Sequence, residues 1–104
     1  MGTIAIMTTT DSLEEARSIS ATLVERKLAA CAQISSIQSY YTWKGAVQND
    51  EEFRILLKTT DERYAEVEVA ILELHSYDLP AIVAFDITQA YGPYADWVAD
   101  TTRR

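Results

Sequence analysis

The sequence predicts an α+β fold in which one antiparallel sheet packs against two helices. Stretches with the alternating pattern of strands and stretches with helical periodicity follow one another in the order β-α-β-β-α-β. The second and third strands meet at one tight turn around Gly45, as in an antiparallel hairpin. The chain has 104 residues, of which 48% are hydrophobic, and this size and composition predict a single domain spanning residues 1–104.

The first strand and the first helix are predicted near the N-terminus. Thr3 to Thr9 alternates between two faces, which indicates a strand that is buried on at least one side. Ser12 precedes Glu15 at the capping-box spacing and predicts the start of a helix, with Asp11 as the alternative cap. The helix then presents one apolar stripe that ends in a lysine stem: Leu13, Ala16, Ile19, Leu23 and Lys27.

The hairpin from Gln33 to Thr60 is the longest feature of the sequence. At about 3.3 Å per residue each arm reaches roughly 35–45 Å, whereas a domain of this length has a radius of gyration of about 13 Å. A long two-stranded ribbon is only marginally stable alone in water, so we expect its far end to lie on another chain. Three serines interrupt the apolar alternation of the first arm and predict a bulge or a bend: Ser35, Ser36 and Ser39.

A second helix, a fourth strand and a short C-terminal helix are predicted after the hairpin. Asp61 is the expected cap of the second helix, and His75 falls in its last turn. Ala81 to Ile87 is almost continuously apolar, as in a strand covered on both faces. Gly92 and Pro93 open the last helix, because proline at the first helical position loses no hydrogen bond. The inner stripe of the second helix is predicted to be Tyr64, Val67, Ile71 and Leu74.

This order of elements is the split-βαβ, ferredoxin-like arrangement, which places two helices on one face of the sheet. The opposite face would be bare, and a bare apolar sheet favours a partner. We therefore expect assembly for a second reason, which is independent of the hairpin. The residues predicted to lie on the bare face are Ala5, Met7, Leu56, Ile82 and Ala84.

Composition limits the possible classes of function. The formal net charge of −7 opposes binding to nucleic acids and to anionic membrane surfaces, and it is compatible with cations as ligands. Cys31 is the one cysteine, so no intrachain disulfide can form, which fits a reducing compartment. The N-terminus lacks a secretory signal pattern, and no stretch approaches the roughly 18 apolar residues of a membrane span. We therefore expect a cytoplasmic protein without nucleic-acid or membrane partners.

Four segments carry a family resemblance when they are taken together. They are Leu28 to Ala32, Tyr41 to Gly45, Glu51-Glu52 followed by Lys58 to Thr60, and His75 to Pro80. With Tyr94 and Trp97 they resemble, in order and spacing, the CutA family of divalent-cation tolerance proteins, from about Ile4 to Thr102. The resemblance implies a cytoplasmic homotrimer built like the PII signalling proteins, in which the hairpin joins neighbouring subunits. It also implies a role in tolerance to copper and other divalent metals.

Two residues carry over as candidate metal ligands. His75 matches the histidine of the family and Cys31 its cysteine, so the resemblance offers both as ligands for copper or another divalent cation, with no organic cofactor. The alternatives are a helix-end histidine that hydrogen-bonds nearby backbone and a buried cysteine that packs as a small hydrophobe. Thr8 stands where some members carry a further cysteine, Ser76 where a proline is usual and Ala81 where an acidic residue is usual.

The resemblance further implies a cleft between subunits that could hold a small ligand or an ion. The residues carried over to it are Glu51, Glu52, Lys58, Tyr77 and Asp78. The alternative is a solvated ribbon edge, where an exposed ion pair contributes little. Four aromatic residues predict anchors of a subunit interface: Tyr40, Tyr41, Trp43 and Trp97. A base-stacking surface is disfavoured, because the third strand lacks the aromatic pair of RNA-binding sheets and the net charge is −7.

The leading functional hypothesis is therefore a trimeric metal-tolerance or metal-response protein. The alternative is a PII-like signalling or scaffold module that binds a small metabolite or a protein. Catalysis is not expected, because no nucleophile and histidine occur at a recognisable spacing. The loop from Thr8 to Asp11 also lacks the arginine that an acylphosphatase-like phosphate loop would need.

Overall fold

The computed structural model of the protein describes residues 2–103. It contains one four-stranded sheet and three α-helices, and a short 3-10 turn at Asp61–Arg63 precedes the second helix. In chain order the elements are β1 (Thr3–Thr10), α1 (Leu13–Glu25), β2 (Cys31–Trp43), β3 (Ala46–Thr60), α2 (Tyr64–Leu74), β4 (Ile82–Asp86) and α3 (Gly92–Thr101). None of the helices in this range is long and apolar enough to cross a membrane.

The sheet has the strand order β2-β3-β1-β4, and every neighbouring pair is antiparallel. β1 lies in the middle and pairs with β3 from Thr3 opposite Thr60 to Thr10 opposite Phe53. β2 and β4 form the two edges. The predicted α+β class with one antiparallel sheet is confirmed.

The core lies between α1, α2 and one face of the sheet, which we call the core face. Ile4, Ile6 and Thr8 of β1 point to this face, because they alternate with Ala5 and Met7. Burial of each large aliphatic side chain contributes about 1.5–3 kcal/mol. The fully buried aliphatic side chains of the core are Ile6, Ile19, Leu23, Ile55, Leu57, Val67 and Ile71.

Both ends of α1 have defined caps. The Ser12 hydroxyl accepts a hydrogen bond from the Glu15 amide at 3.0 Å, which confirms Ser12 as the N-cap. The helix ends at Glu25, and Lys27 follows in the left-handed conformation with φ 60°. The amide of Leu28 then donates to the carbonyl of Leu23, as in a Schellman motif. The placement of Lys27 on the helical stripe is therefore wrong, because the chain has already left the helix.

The start of α2 also differs from the prediction. Asp61 does not cap the helix, since it is the first residue of the 3-10 turn and its carboxylate accepts the amide of Gly2 at 3.2 Å. Arg63 occupies the N-cap position of α2 without a side-chain cap. Its Nε instead donates to the Thr102 carbonyl at 2.7 Å, which joins the beginning of α2 to the end of α3. His75 lies just past the last residue of α2 rather than in its last turn.

The hairpin extends well beyond the rest of the sheet. β2 and β3 pair without interruption from Cys31 opposite Lys58 to Trp43 opposite Ala46, so the predicted bulge at the three serines is wrong. Beyond Phe53 the hairpin pairs with no third strand among residues 2–103, so no buried sheet face requires an apolar alternation there. Lys44 and Gly45 both have positive φ, of 51° and 79°, as a type I′ turn requires. The molecule is 45 Å long and 21–25 Å across.

The second face of the sheet, which we call the outer face, carries three of the five predicted residues, Ala5, Met7 and Leu56. Ala5 pairs with Phe85 and Met7 with Val83, so these two β4 residues lie on the outer face. Ile82 and Ala84 were predicted there but pair with Thr8 and Ile6 on the core face. The register, which the sequence does not reveal, decides this assignment. β4 was also predicted to be covered on both faces, whereas it is a largely exposed edge strand.

Candidate functional site

His75 has a fully buried side chain with both ring nitrogens engaged. Its Nδ1 accepts a hydrogen bond from the Tyr77 amide at 3.1 Å, and its Nε2 lies 2.7 Å from the Thr9 carbonyl oxygen. Because a backbone amide can only donate, the ring hydrogen sits on Nε2 and is donated to Thr9. His75 therefore clamps the connector after α2 to the end of β1. A metal ion could bind this ring only by displacing one of the two hydrogen bonds.

Glu15 approaches the same histidine from α1. Its Oε1 lies 3.8 Å from the His75 Nδ1, which is beyond hydrogen-bonding distance. This oxygen is buried and has no hydrogen-bond partner among residues 2–103. The Glu15 carboxylate thus turns towards His75, and the capping box is realised only through the bond to Ser12.

Tyr77 connects this clamp to the base of the hairpin. Its hydroxyl donates to the Glu52 Oε2 at 2.7 Å, and its ring packs against His75 with centroids 4.7 Å apart. Burial, followed by the hydrogen bond to Glu52 and the charge of Glu52, raises the pKa of Tyr77 well above its usual value. Glu52 is only 9% exposed, although it carries a carboxylate. The tyrosine hydroxyl provides the hydrogen bond that a buried carboxylate needs.

Two further carboxylates surround this pair. The Tyr41 hydroxyl donates to Asp50, and this hydrogen bond is the largest cause of the raised pKa of Tyr41. The charge of Asp11, in the turn after β1, also raises the pKa of Tyr77. We call these five residues the hairpin-base cluster: Asp11, Tyr41, Asp50, Glu52 and Tyr77. The cluster gathers three acidic side chains from the β1–α1 turn and β3.

The residues predicted to line the cleft are therefore only partly brought together. Glu52 and Tyr77 are in contact, and Asp78 follows Tyr77 with an exposed side chain. Glu51 points to the opposite side of β3, where it accepts a hydrogen bond from Ser36 at 3.1 Å. Lys58 is six residues from Glu52 along β3, or roughly 20 Å, so it does not join the cluster.

Cys31 lies in a second, separate group on the outer face. It pairs across the sheet with Lys58, and its Sγ lies 3.5 Å from the Tyr94 hydroxyl of α3. The hydrogen bond with Cys31 is the largest cause of the raised pKa of Tyr94. The Lys58 ammonium donates to the Gln33 side chain at 2.7 Å rather than to a carboxylate.

Cys31 and His75 are far apart in one chain. Through the sheet register Cys31 aligns with Ala5 of β1, whereas His75 contacts Thr9, four residues further along that strand. Four residues of a strand span about 13 Å. No group of three or more histidine, cysteine or acidic side chains within residues 2–103 is arranged to hold a metal ion. The part of the chain described here therefore contains no complete metal centre of its own.

The aromatic residues predicted as interface anchors all have large exposed areas. Trp43, at the hairpin tip, is 50% exposed, and Tyr40, Tyr41 and Trp97 are also exposed. The sequence interpretation missed Phe85, which is 53% exposed on the outer face. The apolar run of β4 indicated that Phe85 belongs to a strand, but only the pairing with β1 shows on which face of the sheet each β4 residue lies.

A shallow groove of about 450 Å³ runs between α1 and the edge strand β2. Most of its lining is apolar, with one serine whose buried hydroxyl has no hydrogen-bond partner among the described residues. The lining residues are Arg17, Ser20, Ala21, Val24, Glu25, Ala32 and Ile34.

Comparison with known proteins gives one consistent result. The family model of the CutA1 divalent ion tolerance protein matches residues 4–101. The divalent-cation tolerance protein CutA of Archaeoglobus fulgidus is 40% identical over 96 residues, covering 92% of this chain and 94% of that protein. The CutA of Thermus thermophilus is 38% identical over 98 residues, covering 93% and 95%.

Solved structures agree with these matches. The structure of the periplasmic divalent cation tolerance protein CutA from Archaeoglobus fulgidus superposes with a TM-score of 0.95 at 38% identity, covering 97% of this chain and 99% of that one. The divalent ion tolerance protein CutA1 from Ehrlichia chaffeensis gives 0.93 at 39% identity, covering 99% and 97%. At this identity and coverage the likeness extends to sequence and fold together.

Proposed function

The chain belongs to the CutA1 divalent ion tolerance protein family, and on that premise we propose that it acts as a cytoplasmic homotrimer in tolerance to copper and other divalent cations. In this proposal the subunits are ferredoxin-like and assemble as in the PII proteins. Divalent ions bind weakly in clefts between subunits, at exposed carboxylates near the base of the hairpin. No catalytic step is part of the proposal.

The observation that carries the proposal is the number of large apolar side chains that one chain leaves exposed at the hairpin tip and on the outer face. Tyr40 and Trp43 lie near the tip, and Val83 and Phe85 project from the outer face. Exposed apolar groups that lie together are typical of interaction surfaces. Within residues 2–103 the hairpin beyond Phe53 also has no third strand to support it.

The sheet edges support the same proposal. In the described part of the chain β2 and β4 each have one side without a strand partner, and unpaired edges favour pairing with another chain. The groove beside β2 could receive apolar side chains of such a neighbour. A ring of identical copies would satisfy both edges of every subunit, as heterologous contacts do when they close.

The donor groups that the structure describes in one chain do not complete a copper site. Both nitrogens of His75 are hydrogen-bonded, Cys31 lies about 13 Å away along the sheet, and Glu52 already accepts from Tyr77. Copper favours imidazole and thiolate ligands, whereas carboxylates suit harder cations. We therefore place weak divalent binding at exposed carboxylates, such as Glu51 and Asp78, where another subunit adds ligands. Ligation by His75 or Cys31 stays a prediction.

Mass measurement tests the assembly. Light scattering of a dilute solution should give three times the 11.7 kDa of one chain. A well-folded species of 11.7 kDa, with both tryptophans shielded from water, would overturn the trimer and the cleft together.

Calorimetric titrations of Mn(II) and Cu(II) test the location of the ions. We expect the double variant Glu51→Gln, Asp78→Asn to bind Mn(II) more weakly than the wild type, because carboxylates suit harder cations. Glu14→Gln with Glu62→Gln is the matched control, because it removes two exposed carboxylates elsewhere. His75→Ala and Cys31→Ser are titrated with Cu(II) alongside, and a weaker isotherm for a variant that keeps the circular dichroism and the mass of the wild type would assign that residue as a ligand. Unchanged binding in the first double variant would refute the carboxylate site.

The cytoplasmic location is proposed from the single cysteine, Cys31, because a chain that forms no intrachain disulfide fits a reducing compartment. Relatives differ in this respect, since the Archaeoglobus fulgidus protein is described as periplasmic and that of Arabidopsis thaliana as chloroplastic. Cell fractionation of the tagged full chain, with a marker for each compartment, decides the matter. Recovery with an extracytoplasmic marker would contradict the cytoplasmic assignment.

A further inference from the structure

We propose that the exposed side of α2 binds a basic amphipathic helix of a partner protein. α2 packs its buried residues against the core, but its solvent side is not uniformly polar. Val69 is 57% exposed and Leu72 is 53% exposed, and Ala65 lies one turn before Val69 with its side chain also exposed. We call these three residues the α2 stripe.

The spacing of the α2 stripe is that of a helix-packing seam. Ala65, Val69 and Leu72 stand at positions i, i+4 and i+7, which lie on one side of a helix. In a heptad they take the positions d, a and d, with a β-branched residue at a and leucine at the second d. This choice favours pairing with one other helix. The stripe therefore has the pattern of a short two-stranded contact rather than of scattered surface residues.

The flanks of the stripe decide which helix fits. Glu66 and Glu73 lie on one side of it and Glu68 on the other, at the positions where paired helices place charges opposite one another. Residues 64–74 include no lysine or arginine. Arg63, just before them, is buried and pairs with Glu66 at 3.0 Å, which offsets part of that one charge.

A second copy of α2 would set carboxylates against carboxylates, which is unfavourable. A helix that carries lysine or arginine beside an apolar seam would instead pack its seam on the α2 stripe and place its positive charges opposite the flanking glutamates. The contact is short, because the stripe covers about two turns, so the complex belongs to the small, transient class. It does not use the surfaces invoked for trimer assembly, since the stripe faces away from the core and the proposed trimer contacts lie on the hairpin, the sheet edges and the outer face. The inference thus goes beyond metal tolerance and does not depend on metal binding.

Two synthetic helical peptides test the charge requirement. Both have about three heptads with leucine and isoleucine at the seam, one with lysine and one with glutamate at the flanks. They are titrated into the isotopically labelled full chain, and amide shifts are followed by NMR. We expect the lysine peptide to shift the resonances of Ala65, Val69 and Leu72. It should bind about ten-fold more tightly than the glutamate peptide, because Glu68 and Glu73 change from repulsion to attraction. Equal binding of the two peptides, or shifts confined to other surfaces, would overturn the proposal.

Substitutions test the apolar requirement. Leu72→Ser should weaken binding of the lysine peptide by about ten-fold or more, since the serine loses the apolar contact that the leucine makes when it leaves water. Leu79→Ser is the matched control, because Leu79 is an exposed leucine outside α2 and should have no effect. Glu73→Lys should reduce the preference for the lysine peptide. If Leu72→Ser leaves the affinity unchanged, or instead lowers the mass of the protein in solution, the stripe is not a site for a basic helix.

Discussion

A single buried ring connects three parts of this chain. His75 donates to the Thr9 carbonyl of β1 and accepts from the Tyr77 amide of the connector, while Glu15 of α1 lies beside it. Tyr77 then carries the connection to Glu52 on β3. The sequence suggested that a helix-end histidine would bond nearby backbone, and its contact with Tyr77 agrees with this. Its contact with Thr9 spans 66 positions and depends on tertiary packing, so no local pattern could show it.

Replacement of His75 by alanine should destabilise the protein even when no metal is present. The substitution leaves the Tyr77 amide and the Thr9 carbonyl without their partners and creates a cavity, so we expect a loss of about 2–4 kcal/mol. Urea denaturation in the presence of a chelator measures it. Ser76→Ala is the control, because Ser76 is the exposed neighbour. An unchanged midpoint for His75→Ala in chelator would mean that the two hydrogen bonds contribute nothing to stability.

Removal of the Tyr77 hydroxyl should also destabilise the protein, and the effect should depend on pH. Tyr77→Phe leaves the buried Glu52 carboxylate without its donor, which costs about 1–3 kcal/mol. The pKa of Tyr77 is raised in the folded state, so its contribution is complete below the unfolded value of about 10 and is lost as the pH rises through the folded pKa.

Denaturation of both proteins at about pH 8 and about pH 11 tests this linkage. The advantage of the wild type over Tyr77→Phe should be larger at the lower pH. An advantage that grows with pH would contradict the assignment of the hydroxyl as donor to Glu52.

At the scale of elements, the sequence predicts features that depend on a few neighbouring residues better than features that depend on long-range strand pairing. Ser12 marked the start of α1 and Gly45 marked the hairpin turn, because each depends on a few neighbouring residues. Which β4 residues lie on the core face and which lie on the outer face depends on the pairing of β4 with β1. The sequence therefore did not predict that Phe85 lies on the outer face. The bulge predicted at the three hairpin serines was wrong for a related reason. A ribbon without a buried face does not need an alternating apolar pattern, so serines that interrupt the alternation do not indicate a bulge there.

The hairpin turn provides a test with a matched control. Gly45 has φ 79° and no neighbouring atom within 4 Å of an added Cβ, so Gly45→Ala introduces backbone strain without a steric clash. We expect a cost of about 1–2 kcal/mol at the tip, seen as roughly 5–30-fold faster amide exchange at the pairs nearest the turn. Gly92→Ala also meets open space but has no positive φ, so it should leave this exchange unchanged. Equal exchange in all three proteins would exclude a strained turn.

For the whole molecule, the length of the hairpin and the family resemblance led to the same expectation of assembly from separate premises. The structure adds two features that composition alone could not provide: the identity of the outer-face residues and the unpaired strand edges. It also separates the candidate ligands, because Cys31 and His75 lie at different ends of the sheet in one chain. This separation could not be predicted from residue types, because it depends on the register of the sheet.

A charge on the outer face should break the assembly, whereas the same charge on the α2 stripe should not. Phe85 and Leu72 are equally exposed in one chain, both at 53%, but they lie on opposite sides of the molecule. If copies meet through the outer face, Phe85→Asp buries a carboxylate without a partner and dissociates them, while Leu72→Asp keeps the wild-type mass. Light scattering at several protein concentrations separates the two variants, and circular dichroism verifies that each is folded. Because assembly stabilises the folded state by mass action, the wild-type unfolding midpoint should rise with protein concentration and that of folded Phe85→Asp should not. A trimeric Phe85→Asp, or a Leu72→Asp that dissociates, would place the subunit contact on a different face.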